Sequence, residues 1–407
     1  MNDHPTRRRF MSNLITGAAA LSASPRLFSQ DKKVYPKSQR LVRIGIVGGR
    51  FGASFQWHEH PHCKVTAVCD LRQDRLENLM RTYQCDVAYK SFTDLIKDKN
   101  VDAVGVFTPA PLHVYMSVEA MKAGKHVISA VPAGCNEEEC AELLETVKKT
   151  GMIYMMAETS YYRREIISCR QWAKQRQFGE IFFSQAEYHH DGLISLMFDE
   201  NGMPTWRHGF PPMHYPTHCT GMIIPVTGER LTEVMATGWG DDHEVLRTNL
   251  YENPFWSETA MFKTSGGHSA QVSVNWKVAT GGCERGQFLG TEMSYYMPGP
   301  DGTPGITAKR ESGTEIKNQY AEAKIKMQPH EQPNHYELLP EPLRHDTGHG
   351  GSHAFITHEF IMAVLERRQA EVDVFEALAY TIPGFYAHRS ALEGGTLLKI
   401  PDYGRKK

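Results

Sequence analysis

At 407 residues, with 41% hydrophobic and 23% charged side chains, the chain has an ordinary globular composition. It exceeds the length at which one core stops growing, so about two or three domains are expected. A net charge of −2 gives no reason to expect a nucleic-acid partner, because phosphate binding needs a basic face, and no apolar run reaches the roughly 18 residues of a membrane span.

In chain order, residues 1–30 read as an export leader. "TRRRFM" supplies the charged n-region, with Arg7 and Arg8 as a twin-arginine pair, and "NLITGAAALSAS" the weakly apolar h-region; a plain basic tail is the alternative. The twin-arginine route carries folded proteins, so the leader predicts a periplasmic or extracytoplasmic enzyme that brings a tightly bound cofactor with it. A polar linker follows over residues 31–40.

From residue 41 to 158, short apolar runs alternate with helical periods. "LVRIGIV", "KVTAVCD", "DAVGVF", "HVISAV" and "MIYMMAE" read as strands, while "RQDRLENLMRTY", "HVYMSVEAMKAG" and "EEECAELLETVKKTG" read as helices. The rhythm predicts a doubly wound parallel sheet, an α/β Rossmann domain. Residues 159–407 change to longer β-rich runs, "EIFFSQAEYHH", "LTEVMATGWG", "ETAMFKTSGG", "HSAQVSVNWKVA" and "GQFLGTEMSYYM". They predict an α+β domain with a large open, mostly antiparallel sheet. Pro298 to Gly351 reads as one long irregular stretch, and the last segment as two amphipathic helices.

Three motifs carry chemistry. "GIVGGRFG" places Gly49 and Gly52 at the last two positions of G-x-G-x-x-G, with Val47 in the first; Gly48, Arg50 and Phe51 complete the loop, which would meet a pyrophosphate at a helix N-terminus. Asp70 ends the second strand, where a carboxylate binds ribose hydroxyls and favours NAD over NADP, although Arg72 and Arg75 stand beside it. "TPAPLH" puts Thr108, Pro109 and His113 at the crevice edge of the sheet, or in a plain turn. In "YPTH", Pro216 starts a helix and His218 lies in its first turn, where the dipole disfavours imidazolium and leaves a neutral ring able to accept a proton; Tyr215 could share the hydroxyl. A capped helix with a core histidine is the other reading.

The twenty histidines include "HEHPH" and "HHD", but neither has zinc-site spacing, and "HEHPH" reads as a solvated cluster at the end of a helix, so no metal is expected. None of the eight cysteines forms a C-x-x-C pair, and most read as buried thiols, with a disulfide left open.

"RIGIVGGRFG", "CDLR", "TPAPLH" and "AGKHVISAVPAG" at these spacings resemble the glucose-fructose oxidoreductase, inositol dehydrogenase and MocA (Gfo/Idh/MocA) family over nearly all the chain after the linker. Most members end the fifth strand in Glu-Lys-Pro, whose lysine serves the redox step; here Ala130, Val131 and Pro132 stand there. "VPA", "MMAETSYYRRE", "YHHD", "HYPTH" and "GHGGSH" are similar to the NAD-dependent glycoside hydrolase branch of the α-N-acetylgalactosaminidase type, though Ala130 replaces its Glu and Thr159 its Asn beside the cofactor.

The resemblance implies NAD at Gly48, Gly49, Arg50, Phe51, Gly52, Asp70, Arg72, Thr108, Pro109, His113, Ala130, Val131 and Thr159. It implies catalytic roles for His218, Tyr215 and Glu158, and substrate contacts from Tyr188, Arg207 and Thr217, with Tyr162 and Arg163 also orienting Glu158. The expected substrate is a carbohydrate or glycoside oxidised at a secondary hydroxyl, either released as a keto sugar or carried on through elimination, water addition and reduction. A homo-oligomer is expected by analogy. The competing class is a sugar- or NAD-binding protein that kept the fold without catalysis.

Overall fold

The computed structural model describes residues 40–191, 193–311 and 324–403. The leader and nearly all of the linker lie outside the described residues. Among those described, no helix is long and apolar enough to cross a membrane.

Six parallel strands form the first sheet: β1 (Val42–Val47), β2 (Cys63–Cys69), β3 (Ala88–Tyr89), β4 (Ala103–Val106), β5 (His126–Ser129) and β6 (Tyr154–Met156), in the order β3-β2-β1-β4-β5-β6. Their near-continuous apolar runs follow from burial on both faces by α1 (Gln73–Tyr83), α2 (Phe92–Lys97), α3 (His113–Lys122) and α4 (Glu137–Thr150). The Asn136 side chain caps α4 by accepting from the Glu139 amide, and Gly151 ends it in left-handed geometry. The order reverses between β1 and β4, which opens a crevice at the strands' carboxyl ends.

After α5 (Arg164–Lys174) comes β7 (Ile181–His189), then α6 (Thr217–Thr227). The second sheet continues through β8 (Leu231–Trp239), the short α7 (Glu244–Arg247), β9 (Ser257–Thr264), β10 (Ser269–Asn275), β11 (Cys283–Gly290), β12 (Met293–Tyr296), β13 (Ile306–Arg310) and β14 (Ile325–Pro329). With β15 (Leu398–Lys399) at one edge, its order is β14-β13-β12-β11-β7-β10-β9-β8-β15, antiparallel except where β7 pairs β10. The mostly antiparallel open sheet is therefore present. The stretch from Pro298 to Gly351 is less irregular than its composition suggests, because β13 and β14 pair antiparallel at the sheet edge within it.

The final helices, α8 (Gly348–Glu366) and α9 (Val374–Leu392), are buried almost all round rather than amphipathic. α8 returns to the first sheet, where Phe360 meets Trp57 edge to face and His358 Nδ1 lies 3.0 Å from His60 Nε2. The "HEHPH" segment is thus partly core: His60 is buried, and in place of a helix after β1 there is one 3₁₀ turn, Phe51–Ser54. The reason is local. Phe55 stacks on Trp57, Phe107 and His353, Phe51 meets Phe55, Phe107 and His353 edge to face, and the chain follows those rings instead of winding on. All eight cysteines are free thiols.

Candidate active site

At the crevice end of the first sheet, the turn after β1 works because it lacks side chains. Gly48 has φ of 100°, and a Cβ at Gly49 would sit 2.2 Å from the Arg75 carbonyl oxygen. Asp70 closes the turn: one carboxylate oxygen accepts from the Gly49 amide at 2.7 Å, the other from the Arg72 amide at 2.8 Å. The Arg72 guanidinium bonds Asp74 and Glu200 and is not held ready for a 2′-phosphate. Arg50 is exposed beside the turn.

Across the crevice, His113 is buried with Nε2 2.8 Å from the Thr108 carbonyl and Nδ1 3.0 Å from that of Pro132. Burial lowers its proton affinity, so a neutral ring donates to one of these oxygens while standing between the two loops. With both ring nitrogens engaged, it supports the wall between these loops. Pro109 is exposed at the rim, and the buried Thr108 Oγ1 has no partner. Ala130 and Val131 are buried and give that wall an apolar surface in place of the family lysine. A strained glycine turn, a carboxylate at the end of β2, an unsatisfied hydroxyl and an apolar wall fit a dinucleotide, with Asp70 toward ribose.

The reactive groups come from α6, from the turn after β6 and from the inner face of the second sheet. His218, in the first turn of α6, is buried, and its Nδ1 lies 2.9 Å from Glu158 Oε1 and 3.4 Å from Thr159 Oγ1. Glu158 stands just past β6, fully buried; Oε1 also accepts from the Ser160 amide, and Oε2 is without a partner. Gly221, one turn along α6, gives it room, since a Cβ there would approach Glu158 Cγ to 2.7 Å. Tyr188 on β7 tilts against the His218 ring at 4.6 Å between centroids, and Tyr215 at 5.3 Å. The Arg207 guanidinium lies over Tyr215 at 5.5 Å and over Trp206 at 4.3 Å. Burial pushes both tyrosines above the ordinary phenol range, so each is a neutral O–H.

The lowered proton affinity expected for His218 from its helix position is corrected here. Burial alone would lower its proton affinity, but the charges of Glu158 and Glu284 and the bond to Glu158 outweigh burial and raise it. Two carboxylates outweigh a partial charge at a helix end.

Two further expectations change. Arg163 does not reach Glu158; its Nε bonds Glu284 Oε2 at 2.6 Å, and Ser160 Oγ donates to the same oxygen. Tyr162 is buried beside Tyr161 and feels the charges of Glu359, Glu371 and Arg170, so it belongs to the core behind the site. Thr217 is fully buried at the start of α6, its hydroxyl without a partner.

Glu284 and His349 received no role from sequence. Glu284 pairs with Tyr188 across β11 and β7, which turns it toward His218. Burial opposes its charge, yet Arg163 and His218 hold its carboxyl down to about 2. His349 lies near enough to Glu284, His218 and Arg163 to feel their charges, in a left-handed break, His349–Gly351, at the start of α8. Its Nδ1 is 2.8 Å from His353 Nε2, and His353 Nδ1 is 2.9 Å from the Ser54 carbonyl. That carbonyl can only accept, so His353 carries its proton on Nδ1 and receives one from His349 Nδ1–H, leaving His349 Nε2 bare. "GHGGSH" was visible as a motif, but only the fold brings it to His218.

Residues 42–158 match the family described as an oxidoreductase family with NAD-binding Rossmann fold, and residues 301–407 match the C-terminal domain of glycosyl hydrolase 109. A glycosyl hydrolase family 109 protein of Solibacter usitatus is 27% identical, covering 91% of this chain and 90% of its own. Another from Parabacteroides distasonis is 24% identical, covering 96% and 91%. Among solved structures, a levoglucosan dehydrogenase with NADH and levoglucosan has a TM-score of 0.71 at 17% identity, covering 89% of this chain and 100% of that one. A scyllo-inositol dehydrogenase from Lactobacillus casei with NAD(H) and scyllo-inositol has a TM-score of 0.64 at 16% identity, covering 88% and 99%. With its Rossmann crevice and its histidine and carboxylate cluster, the chain carries over residues 42–158 the NAD-binding domain of the Gfo/Idh/MocA oxidoreductase family, and over 91% of its length it is similar to a glycosyl hydrolase family 109 protein.

Proposed function

We propose that this chain is an exported enzyme that holds NAD tightly, acts on a secondary hydroxyl of a carbohydrate and completes glycoside hydrolysis by oxidation, elimination, water addition and reduction. The observation that carries this reading is the presence of two proton-handling histidines in one cleft, His218 backed by Glu158 and His349 backed by His353. NAD, when bound, supplies reversible removal of hydride from a sugar carbon, expected at C3. The hydroxyl must lose its proton as hydride leaves: with Nδ1–H donated to Glu158, the opposite nitrogen of neutral His218 can take that proton, and the carboxylate then stabilises the imidazolium. Tyr215 and Tyr188 remain neutral donors beside it.

A ketone acidifies the neighbouring C–H, and eliminating a glycosidic group there needs a second base and acid at other atoms. His349, with a bare Nε2, supports that second role, which a simple dehydrogenase does not need. Ala130 and Val131 leave no lysine to share the work. Export and tight cofactor retention rest on Arg7 and Arg8, because free nicotinamide cofactor is scarce outside the cytoplasm. Self-association is supported by Met235 and Met261, exposed as a cross-strand pair on the outer face of the second sheet.

The decisive experiment is NMR of an α- and β-glycoside panel incubated with purified mature protein in heavy water without added NAD. Free sugar carrying deuterium at C2 is the expected product. Intact glycosides with keto sugar limited by bound cofactor would make the protein a dehydrogenase, and the absence of both turnover and bound cofactor would make it a binding protein.

A further inference from the structure

We propose that the outer face of β7 and β11 carries a binding site for a divalent cation of the zinc class, formed by Glu187, His189 and Cys283. One ligand atom from each of these three side chains lies within 4.8 Å of the other two. Sequence spacing cannot reveal the site, because two ligands come from β7 and the third from a strand far along the chain. The register makes it: Cys283 faces His189 directly across the ladder, and Glu187 lies two residues back on the same face as His189.

The spacing between imidazole and carboxylate is too long for a hydrogen bond and suits a shared ion. His189 Nε2 stands 3.8 Å from Glu187 Oε2, whereas ligand atoms around tetrahedral zinc lie about 3.3–3.7 Å apart. A small rotamer adjustment closes that difference. Arg285 Nη1 lies 3.5 Å from the other Glu187 oxygen, Oε1, so the carboxylate divides: one oxygen faces the cluster, and the guanidinium steadies the second. Thiolate, imidazole and carboxylate together select zinc over magnesium or calcium, and the two anionic ligands balance its charge. The fourth position is open to water.

The placement gives the site a use. Strand alternation turns Tyr188 and Glu284 to the catalytic face, between the ligands that point outward. An ion here would clamp β7 to β11 beneath the two residues that flank His218, without touching substrate.

Cobalt(II) titration of the full mature protein tests the site directly. The expected result is one equivalent bound, with a thiolate-to-cobalt charge-transfer band that Cys283→Ser removes while leaving the fold intact by circular dichroism. Zinc should displace the cobalt and protect Cys283 of the unaltered protein from alkylation, as read by mass spectrometry of the peptide. No thiolate band, a band that survives Cys283→Ser, or alkylation unaffected by zinc would each overturn the site. None of these readouts depends on turnover, so their failure leaves the hydrolase reading to its own test.

Discussion

The proton affinity of His218 is decided by its neighbours rather than by its place at a helix start. A helix N-terminus contributes about 0.3–1 kcal/mol against a positive charge, rising to about 2 kcal/mol in buried geometry. A carboxylate 2.9 Å away in the same buried space acts more strongly, and the net direction is upward. Glu158→Gln keeps the shape and removes the charge, leaving burial to dominate. The pH profile of kcat/KM should then move its acidic limb to lower pH, because the base loses its proton more readily. The plateau should fall by roughly 100-fold, since the imidazolium is no longer stabilised. A limb that stays in place would remove Glu158 from this role. His218, Tyr215 and Glu158 were legible through motif and resemblance. Glu284 was not: "GGCERGQ" has no local signature, and only pairing with Tyr188 turns its side chain inward. Arg163 was given the wrong partner for the same reason, since its carboxylate comes from a strand far along the chain.

Elements were legible where their periodicity was strong. β1, β2, β4, β5 and β6 stand out because burial on both faces demands unbroken apolar runs. β13 and β14, "ITAKR" and "IKMQP", lie at the sheet edge, and β14 is exposed throughout, so no alternation marks it. α6 offers a test of how an element serves the site. On propensity alone, Gly221→Ala should favour the helix by about 1 kcal/mol. The added methyl instead meets Glu158 Cγ at 2.7 Å, and the Thr159 hydroxyl, 3.4 Å from His218 Nδ1, cannot supply the charge that Glu158 brings at 2.9 Å. We expect a net destabilisation of about 1–3 kcal/mol from overpacking, and a loss of kcat larger than the change in KM. Thermal unfolding and steady-state kinetics measure the two. A variant with unaltered kcat would mean that the Glu158–His218 geometry tolerates displacement.

At the scale of the whole molecule, α8 joins the C-terminal part of the chain to the first sheet, and it does so in part through buried histidines. No local pattern announces a contact between His60 and His358, so this part of the architecture was invisible in sequence. It also predicts how the protein responds to acid. Burial, and then the charge of His62, hold His60 down to about 3; burial, then His349, hold His353 to about 4; burial, then Arg170, hold His335 to about 4. Each folded value lies below the unfolded value of 6.5, so between the two the unfolded chain binds more protons and stability falls as pH falls. His218 works in the opposite sense, because its raised affinity contributes stability that is lost as pH rises through its folded value. His113, His126, His214, His330 and His349 are lowered as well, while only His268 and His345 join His218 in the raised direction, so the described histidines together leave acid destabilisation, at about 1.4 kcal/mol per pH unit for each uncompensated ring. Glu284 adds a later loss, between its ordinary 4.5 and about 2. Denaturant midpoints should therefore decline from pH 6.5 to 5, before most carboxylates titrate, and His60→Gln should flatten that decline. A midpoint constant over this range would show that the buried rings find protons without unfolding, and the joint between α8 and the first sheet would then be open to water.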